Sequence, residues 1–187
     1  MYKQIFALFF SVIVVLACKS TTLPLTSNNT APTPTPATPK AEDSPKALSY
    51  SLEKAGLQFD WQEGWRIERQ ADSSVIVAAP DNGLVVHFAE TEPNAAHQRA
   101  TEYLKGFLQD VAPVKLPKFK EGNFKGMKHF SQSGQVTNAL NGATIEWSLD
   151  ILDAQTPLVI FSQLNRARKA EHEAAYGKLI SSIKRLE

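Results

Sequence analysis

The hydrophobic pattern divides the chain into three regions. Residues 5–17 (IFALFFSVIVVLA) form an apolar run of thirteen positions broken only by Ser11. Residues 19–47 are polar, rich in Thr and Pro, and have no hydrophobic period. From residue 48 onward two periods alternate: a period of two marks half-buried strands and a period near 3.6 marks amphipathic helices. Leu48, Tyr50 and Leu52 alternate with serines, and Leu57, Phe59 and Trp61 alternate with Gln58 and Asp60. Residues 75–79 and 84–89 are apolar runs joined by Pro80-Asp81-Asn82-Gly83, a turn signal that makes them a hairpin. Residues 124–137 read as one weaker strand. Residues 144–152 alternate cleanly, with Ile145, Trp147, Leu149 and Ile151 on one face, and Asn141-Gly142 supplies a turn before them. Residues 158–161 (LVIF) are apolar on both sides, which suits a central strand covered on both faces. Two helices are expected. Residues 93–111 align Ala96, Ala100, Tyr103, Leu104, Phe107 and Val111, and residues 168–186 align Tyr176, Leu179, Ile180, Ile183 and Leu186. This order predicts an α+β fold, an antiparallel β-sheet packed by helices.

Composition narrows the function. The 187 residues carry 43% hydrophobic and 21% charged side chains, a globular balance. Setting aside Lys3, Lys19, Lys40, Lys46, Glu42 and Asp43 leaves 16 basic and 17 acidic residues in positions 48–187. A near-neutral domain lacks the concentrated positive charge that nucleic-acid backbones require. The single cysteine, Cys18, excludes an internal disulfide framework and a cysteine-based zinc cage. The folded region of 140 residues is long enough to bury a core without a staple.

The N-terminal run has a specific ending. It follows Lys3 and is too short to cross a bilayer core, which needs roughly 20 helical residues. It suits the apolar part of a secretory signal. It closes on Val15-Leu16-Ala17-Cys18, which resembles the lipobox of bacterial lipoproteins. That resemblance implies removal of residues 1–17 and lipidation of Cys18, with two or more acyl chains giving stable anchoring. Lys19 stands where lipoproteins retained at the inner membrane typically carry Asp, so the outer membrane is favoured if the cell has two. An ordinary signal peptide containing a cysteine, or an uncleaved anchor, is the competing reading. Residues 18–47 would then be the lipidated cysteine and its tether. The Thr-Pro alternation from Thr30 to Pro39 favours solvated polyproline II, a spacer. A Pro-rich ligand or a glycosylated stalk is the alternative.

Positions 57–65, Leu-Gln-Phe-Asp-Trp-Gln-Glu-Gly-Trp, resemble the opening of PsbP-like domains. This superfamily also holds the Ran-binding Mog proteins and bacterial DcrB-type lipoproteins. The closing Leu179-Ile-Ser-Ser-Ile183-Lys-Arg-Leu186 is similar to the family's last helix. Gln62 departs from the pattern, which has proline there. The resemblance covers residues 48–187 and implies an α/β/α sandwich around an antiparallel sheet. It also implies action by binding other proteins, with no shared catalytic set to carry over.

The residues that carry chemistry yield no catalytic motif. His87, His97, His129 and His172 form no HExxH or HxH pattern, so no metal ligand set is legible. His87 could pair with Glu146 or Asp150 as a general base, but a structural histidine is the simpler reading. His97 and His172 lie near helix starts and are expected at the surface. No GxSxG elbow occurs, and the one SxxK match, Ser181 to Lys184, lies in the apolar stripe of the last helix. Trp65 and Trp147 are read as core residues, against the alternative that Trp65 anchors a partner. One electrostatic feature stands out. Lys115, Lys118, Lys120, Lys125 and Lys128, with His129, face only Glu121 in the same stretch. They are either a patch for an acidic partner or anionic headgroups, or an edge whose lysines block strand-to-strand aggregation.

Together these features predict a membrane-anchored cell-envelope lipoprotein. Its domain is expected to be a non-catalytic interaction or assembly module for an unidentified envelope protein, with no cofactor. The alternatives are a small-ligand or ion-binding domain, which needs a concave pocket with convergent polar groups, and a hydrolase, which needs a Ser–His–carboxylate arrangement in a cleft.

Overall fold

A computed structural model describes residues 47–109, 116–138 and 141–187. Residues 1–46, where the signal, Cys18 and most of the tether are expected, lie outside the described residues, as do Val111 and Lys115. Ten strands and two α-helices are described: β1 (Ala47–Leu52), β2 (Leu57–Gln62), β3 (Arg66–Arg69), β4 (Val75–Ala78), β5 (Leu84–Glu90), α1 (Ala96–Phe107), β6 (Lys120–Phe124), β7 (Met127–Thr137), β8 (Thr144–Leu152), β9 (Leu158–Asn165), α2 (Lys169–Ser182) and β10 (Lys184–Arg185). Seven strands form one sheet in the order β3-β4-β5-β9-β8-β7-β6, and β1-β2-β10 form a second. Every pairing is antiparallel. The α+β expectation, with an antiparallel sheet between helices, agrees with this.

Alternation along the central strands sorts the core into two layers. Val159 and Phe161 of β9 share the α1 face with Ala89, Leu149, Ile151 and Trp147. Small Ala96 and Ala100 let α1 lie close on them. Trp147 lies over Gly134 of β7, where an added Cβ would stand 2.8 Å from the indole. The opposite face of β9, with Leu158, Ile160 and Leu164, belongs to a larger layer. There α2 supplies Leu179, the small sheet supplies Leu57 and Phe59, and Phe59 stacks on Phe88 of β5 at 4.2 Å and 9°. The second face is therefore covered by a helix and a small sheet together. The small sheet is tied down by Glu90 accepting from the Ala55 N–H at 2.7 Å and by the Leu186 N–H donating to the Gly56 carbonyl at 2.9 Å.

Three expectations need correction. The single strand over 124–137 is a hairpin, β6 and β7, closed by Lys125 (φ 50°) and Gly126 (φ 81°), which is the geometry of a tight two-residue turn. The last helix stops at Ser182, because Ile183 turns extended (φ −55°, ψ 123°) and Lys184 and Arg185 pair with β2. α1 covers residues 96–107 rather than reaching back to Pro93. β3 and β10 carried no recognisable period in the sequence.

Candidate functional site

Two polar clusters lie on the α2 side of the large sheet. The first is carried by neighbouring strands under α2. His129 on β7 meets Asp150 Oδ1 at 2.8 Å, and Ser148 Oγ donates to Asp150 Oδ2 at 3.1 Å. Ser148 also contacts Ser162 on β9 at 2.7 Å and the Tyr176 hydroxyl of α2 at 2.9 Å. Ser162 meets the same hydroxyl at 3.0 Å. Burial pushes the Tyr176 phenol up and the nearby Asp150 adds to the rise, against the hydrogen bonds from both serines. A nucleophilic serine needs a base on its own hydroxyl. Here Asp150 stands between Ser148 and His129, so the imidazole touches the carboxylate and not the serine. The adjoining apolar cavity, between Phe124, Leu152, Ile160, Ile180 and Ile183, holds about 40 Å³, far below the roughly 300 Å³ of a small-molecule site. The arrangement fastens α2 to the sheet.

The second cluster joins the β4–β5 turn to the start of α2. Asp81 accepts from the Gly83 N–H at 2.9 Å, which shapes the turn. It also contacts His172 at 2.9 Å and Arg168 at 2.7 Å, and Arg168 reaches Glu171 at 2.8 Å. Burial opposes ionisation of Asp81, but the Gly83 amide, His172 and Arg168 outweigh it and hold the carboxyl down at about 2. Gly83 makes the approach possible, since a Cβ there would lie 2.7 Å from His172 Nε2. Asp81, Glu171 and His172 are close enough to share a cation, but the Arg168 guanidinium already bridges the two carboxylates. His172, expected at the surface, is buried. Trp65 is half-buried against the core in a T-shaped contact with His172.

His87 is a structural histidine, as favoured, and not a base paired with Glu146 or Asp150. It points to the α1 face, between Tyr103 and Phe161. Glu146 and Asp150 lie on the other face, where Glu146 pairs with Lys169 at 2.9 Å. Burial pulls the His87 imidazole down to about 4, against the pull of Asp72, so it is neutral at pH 7. His97 is exposed at the start of α1, edge-on to Phe119 and Phe130. Trp147 is buried in the core as expected. A shallow groove of about 320 Å³ beside α1 is lined by Asp72, Glu90, Gln98, Arg99 and Glu102, with Arg99 paired to Asp72 and Glu102.

The described lysines of the basic stretch do not converge. Lys125, in the β6–β7 turn, donates to the carbonyls of Ser181 and, at 3.0 Å, Ile183, at the C-terminal end of α2. Lys128 pairs with Glu121 at 3.0 Å and lies over the Phe130 ring. Lys118 and Lys120 are exposed and carry no ion pair among the described residues. The engagement of Lys125 and Lys128 could not be read from sequence, because it depends on the hairpin turn and on where α2 ends.

The chain matches no family model and no curated protein sequence. Among solved structures, the cyanobacterial PsbP (CyanoP) from Synechocystis sp. PCC 6803 aligns with a TM-score of 0.54 at 14% identity, over 80% of this chain and 98% of that one. The fold is PsbP-like. A Bacteroides thetaiotaomicron protein aligns with a TM-score of 0.47 at 10% identity, over 74% of this chain and 48% of its own. LpqN of Mycobacterium tuberculosis, described as involved in cell envelope biogenesis, aligns with a TM-score of 0.37 at 9% identity, over 77% and 86%. At these identities the likeness concerns the fold alone. This fold agrees with the sandwich of α1, the seven-stranded sheet and α2 that the opening and closing motifs implied.

Proposed function

We propose that this protein is a bacterial cell-envelope lipoprotein, anchored through lipid on Cys18, whose PsbP-like domain acts as a non-catalytic protein-interaction module. The observation that carries this reading is the order of parts. A domain spanning 98% of the CyanoP fold begins at β1, directly after a Thr/Pro tether that starts at a lipobox-like cysteine. The polar clusters support a role without catalysis, since their members bond to each other and hold elements together. The tether, up to roughly 90 Å if extended, would let the domain meet a partner away from the bilayer.

The test is expression of the full chain and of Cys18→Ser in a bacterial host with labelled palmitate. The parent chain should incorporate label and sediment with membranes, and Cys18→Ser should lose both. Equal labelling and fractionation would overturn the lipoprotein reading. In-cell crosslinking of the lipidated chain should yield a discrete adduct with another envelope protein. A chain that stays uncrosslinked under conditions that trap a control envelope complex would overturn the interaction module.

A further inference from the structure

Resting on the reading of this domain as an interaction module, we propose that the outer edge of β6 takes up an extended acidic segment of a partner protein by strand addition. β6 ends the large sheet, and among the described residues no strand pairs with its outer side. The two-residue turn at Lys125-Gly126 makes Phe124 and Met127 a hydrogen-bonded pair. Counting back, Lys120, Gly122 and Phe124 spend their backbone groups on β7, while Glu121 and Asn123 direct N–H and C=O outward. That is one register for an incoming strand. The approach to β6 is fixed, because the Pro117 carbonyl accepts from Gln132 of β7.

Gly122 is the second observation. Its backbone lies outside the left-handed region, and a Cβ there would meet nothing within 4 Å. Neither turn geometry nor packing among the described residues requires glycine at that position. A glycine in a strand weakens it and often marks a place where another backbone comes close. Here it leaves a bare step between Lys120 and Phe124, across which a partner side chain can lie.

Charge selects the occupant. Glu121 and Lys128 pair with each other and Lys125 faces the end of α2, so among the described residues the unpaired charge along this edge is that of Lys118 and Lys120. Lysines on an edge repel a second copy of the same edge, while cross-strand carboxylates are favoured. The opposite edge, β3, has four residues, and its Arg66 is engaged by Glu68 and Asn82. The lysines that block self-pairing at β6 are thus also the selector for an acidic strand.

The experiment uses the full chain in neutral detergent and a fluorescent, end-blocked peptide of about eight residues in which Glu alternates with Val or Thr. Anisotropy should report binding that weakens with salt. N-methylation of alternate peptide amides, which keeps the charge and removes strand pairing, should abolish it. A Lys-for-Glu peptide should not bind. Lys118→Glu/Lys120→Glu should weaken the acidic peptide at least about tenfold, and Glu121→Pro, which removes one outward N–H without touching the β7 ladder, should also weaken it. Equal binding of the N-methylated peptide, or unchanged binding by the double variant, would overturn the proposal. So would dimerisation through β6 in the absence of peptide, read by sedimentation. If the peptide fails while an envelope adduct persists in the double variant, the edge proposal falls and the interaction-module reading stands.

Discussion

On the α1 face of the large sheet, polar atoms are enclosed with few partners among the described residues. Among the described residues the Trp147 Nε1 is buried with no hydrogen bond and the Tyr103 hydroxyl is enclosed with only the Arg99 guanidinium beside it, and His87 sits between aromatic rings, kept neutral by burial. On the α2 face the polar side chains are bonded to each other: Ser148, Ser162, Tyr176 and Asp150 in one half-buried cluster, and buried His172 with the exposed Asp81 in the other. The α1 face is therefore held by shape and apolar area despite its polar atoms, whereas α2 is fastened by both. A buried polar group without a partner costs about 1–3 kcal/mol, and a satisfied one contributes about 1. The two helices should thus respond in opposite directions when hydroxyls are removed.

The largest effect should come from the apolar seam of the α2 face. If packing dominates there, Phe59→Ala will cost about 3–5 kcal/mol in urea denaturation, because Phe59 is fully buried and stacked on Phe88. Amide exchange in β1 and β2 should rise more than in β8. A loss below about 1 kcal/mol would mean that the polar ties, including the Ser182 hydroxyl accepting from the Asp60 N–H at 2.8 Å, hold the small sheet instead.

The second effect tests the α1 face through pH. His87 has its folded pKa lowered from 6.5 to about 4, so the unfolded chain takes up the proton first. Stability is intact above pH 6.5, falls as the pH drops toward 4, and loses nothing further from this group below that. The full loss is about 3 kcal/mol. His87→Phe should flatten the stability profile between pH 6.5 and 4. Asp81, held at about 2, contributes above pH 3.8 and loses that contribution only as the pH falls through 2, so it leaves this window clear. A profile equally steep in both proteins would remove His87 as the cause.

The sequence carried the elements whose periods are clean and lost those fixed by distant partners. β8 has the expected bounds, since alternation over nine residues leaves no competing phase. The β6–β7 turn was hidden because Lys125 holds φ 50° without the residue signature of such turns. The end of α2 was hidden for the opposite reason. Leu179, Ile180, Ile183 and Leu186 keep helical spacing although the chain leaves the helix at Ile183, where burial by β2 continues the apolar demand. The two clusters depend on register and on contacts up to 91 residues apart in sequence, such as Asp81 to His172. The residue types were visible, but which face each occupies was not; His87 and Asp150 lie on opposite sides of one sheet.

The smallest effects give the sharpest form of the contrast. Tyr176→Phe removes a hydroxyl bonded to both Ser148 and Ser162, and should cost about 1–2 kcal/mol even though the serines keep each other. Tyr103→Phe removes a hydroxyl that makes no hydrogen bond of ordinary geometry among the described residues, and it leaves the ring under the Arg99 guanidinium and stacked near Phe161 at 6.1 Å. It should be neutral or stabilising by up to about 1 kcal/mol. Measured side by side in the same denaturant, the pair reads the two faces with the same chemical change. A destabilisation by Tyr103→Phe as large as that by Tyr176→Phe would mean that the Arg99 guanidinium or a bound water satisfies the Tyr103 hydroxyl, and the contrast between the two faces would fall.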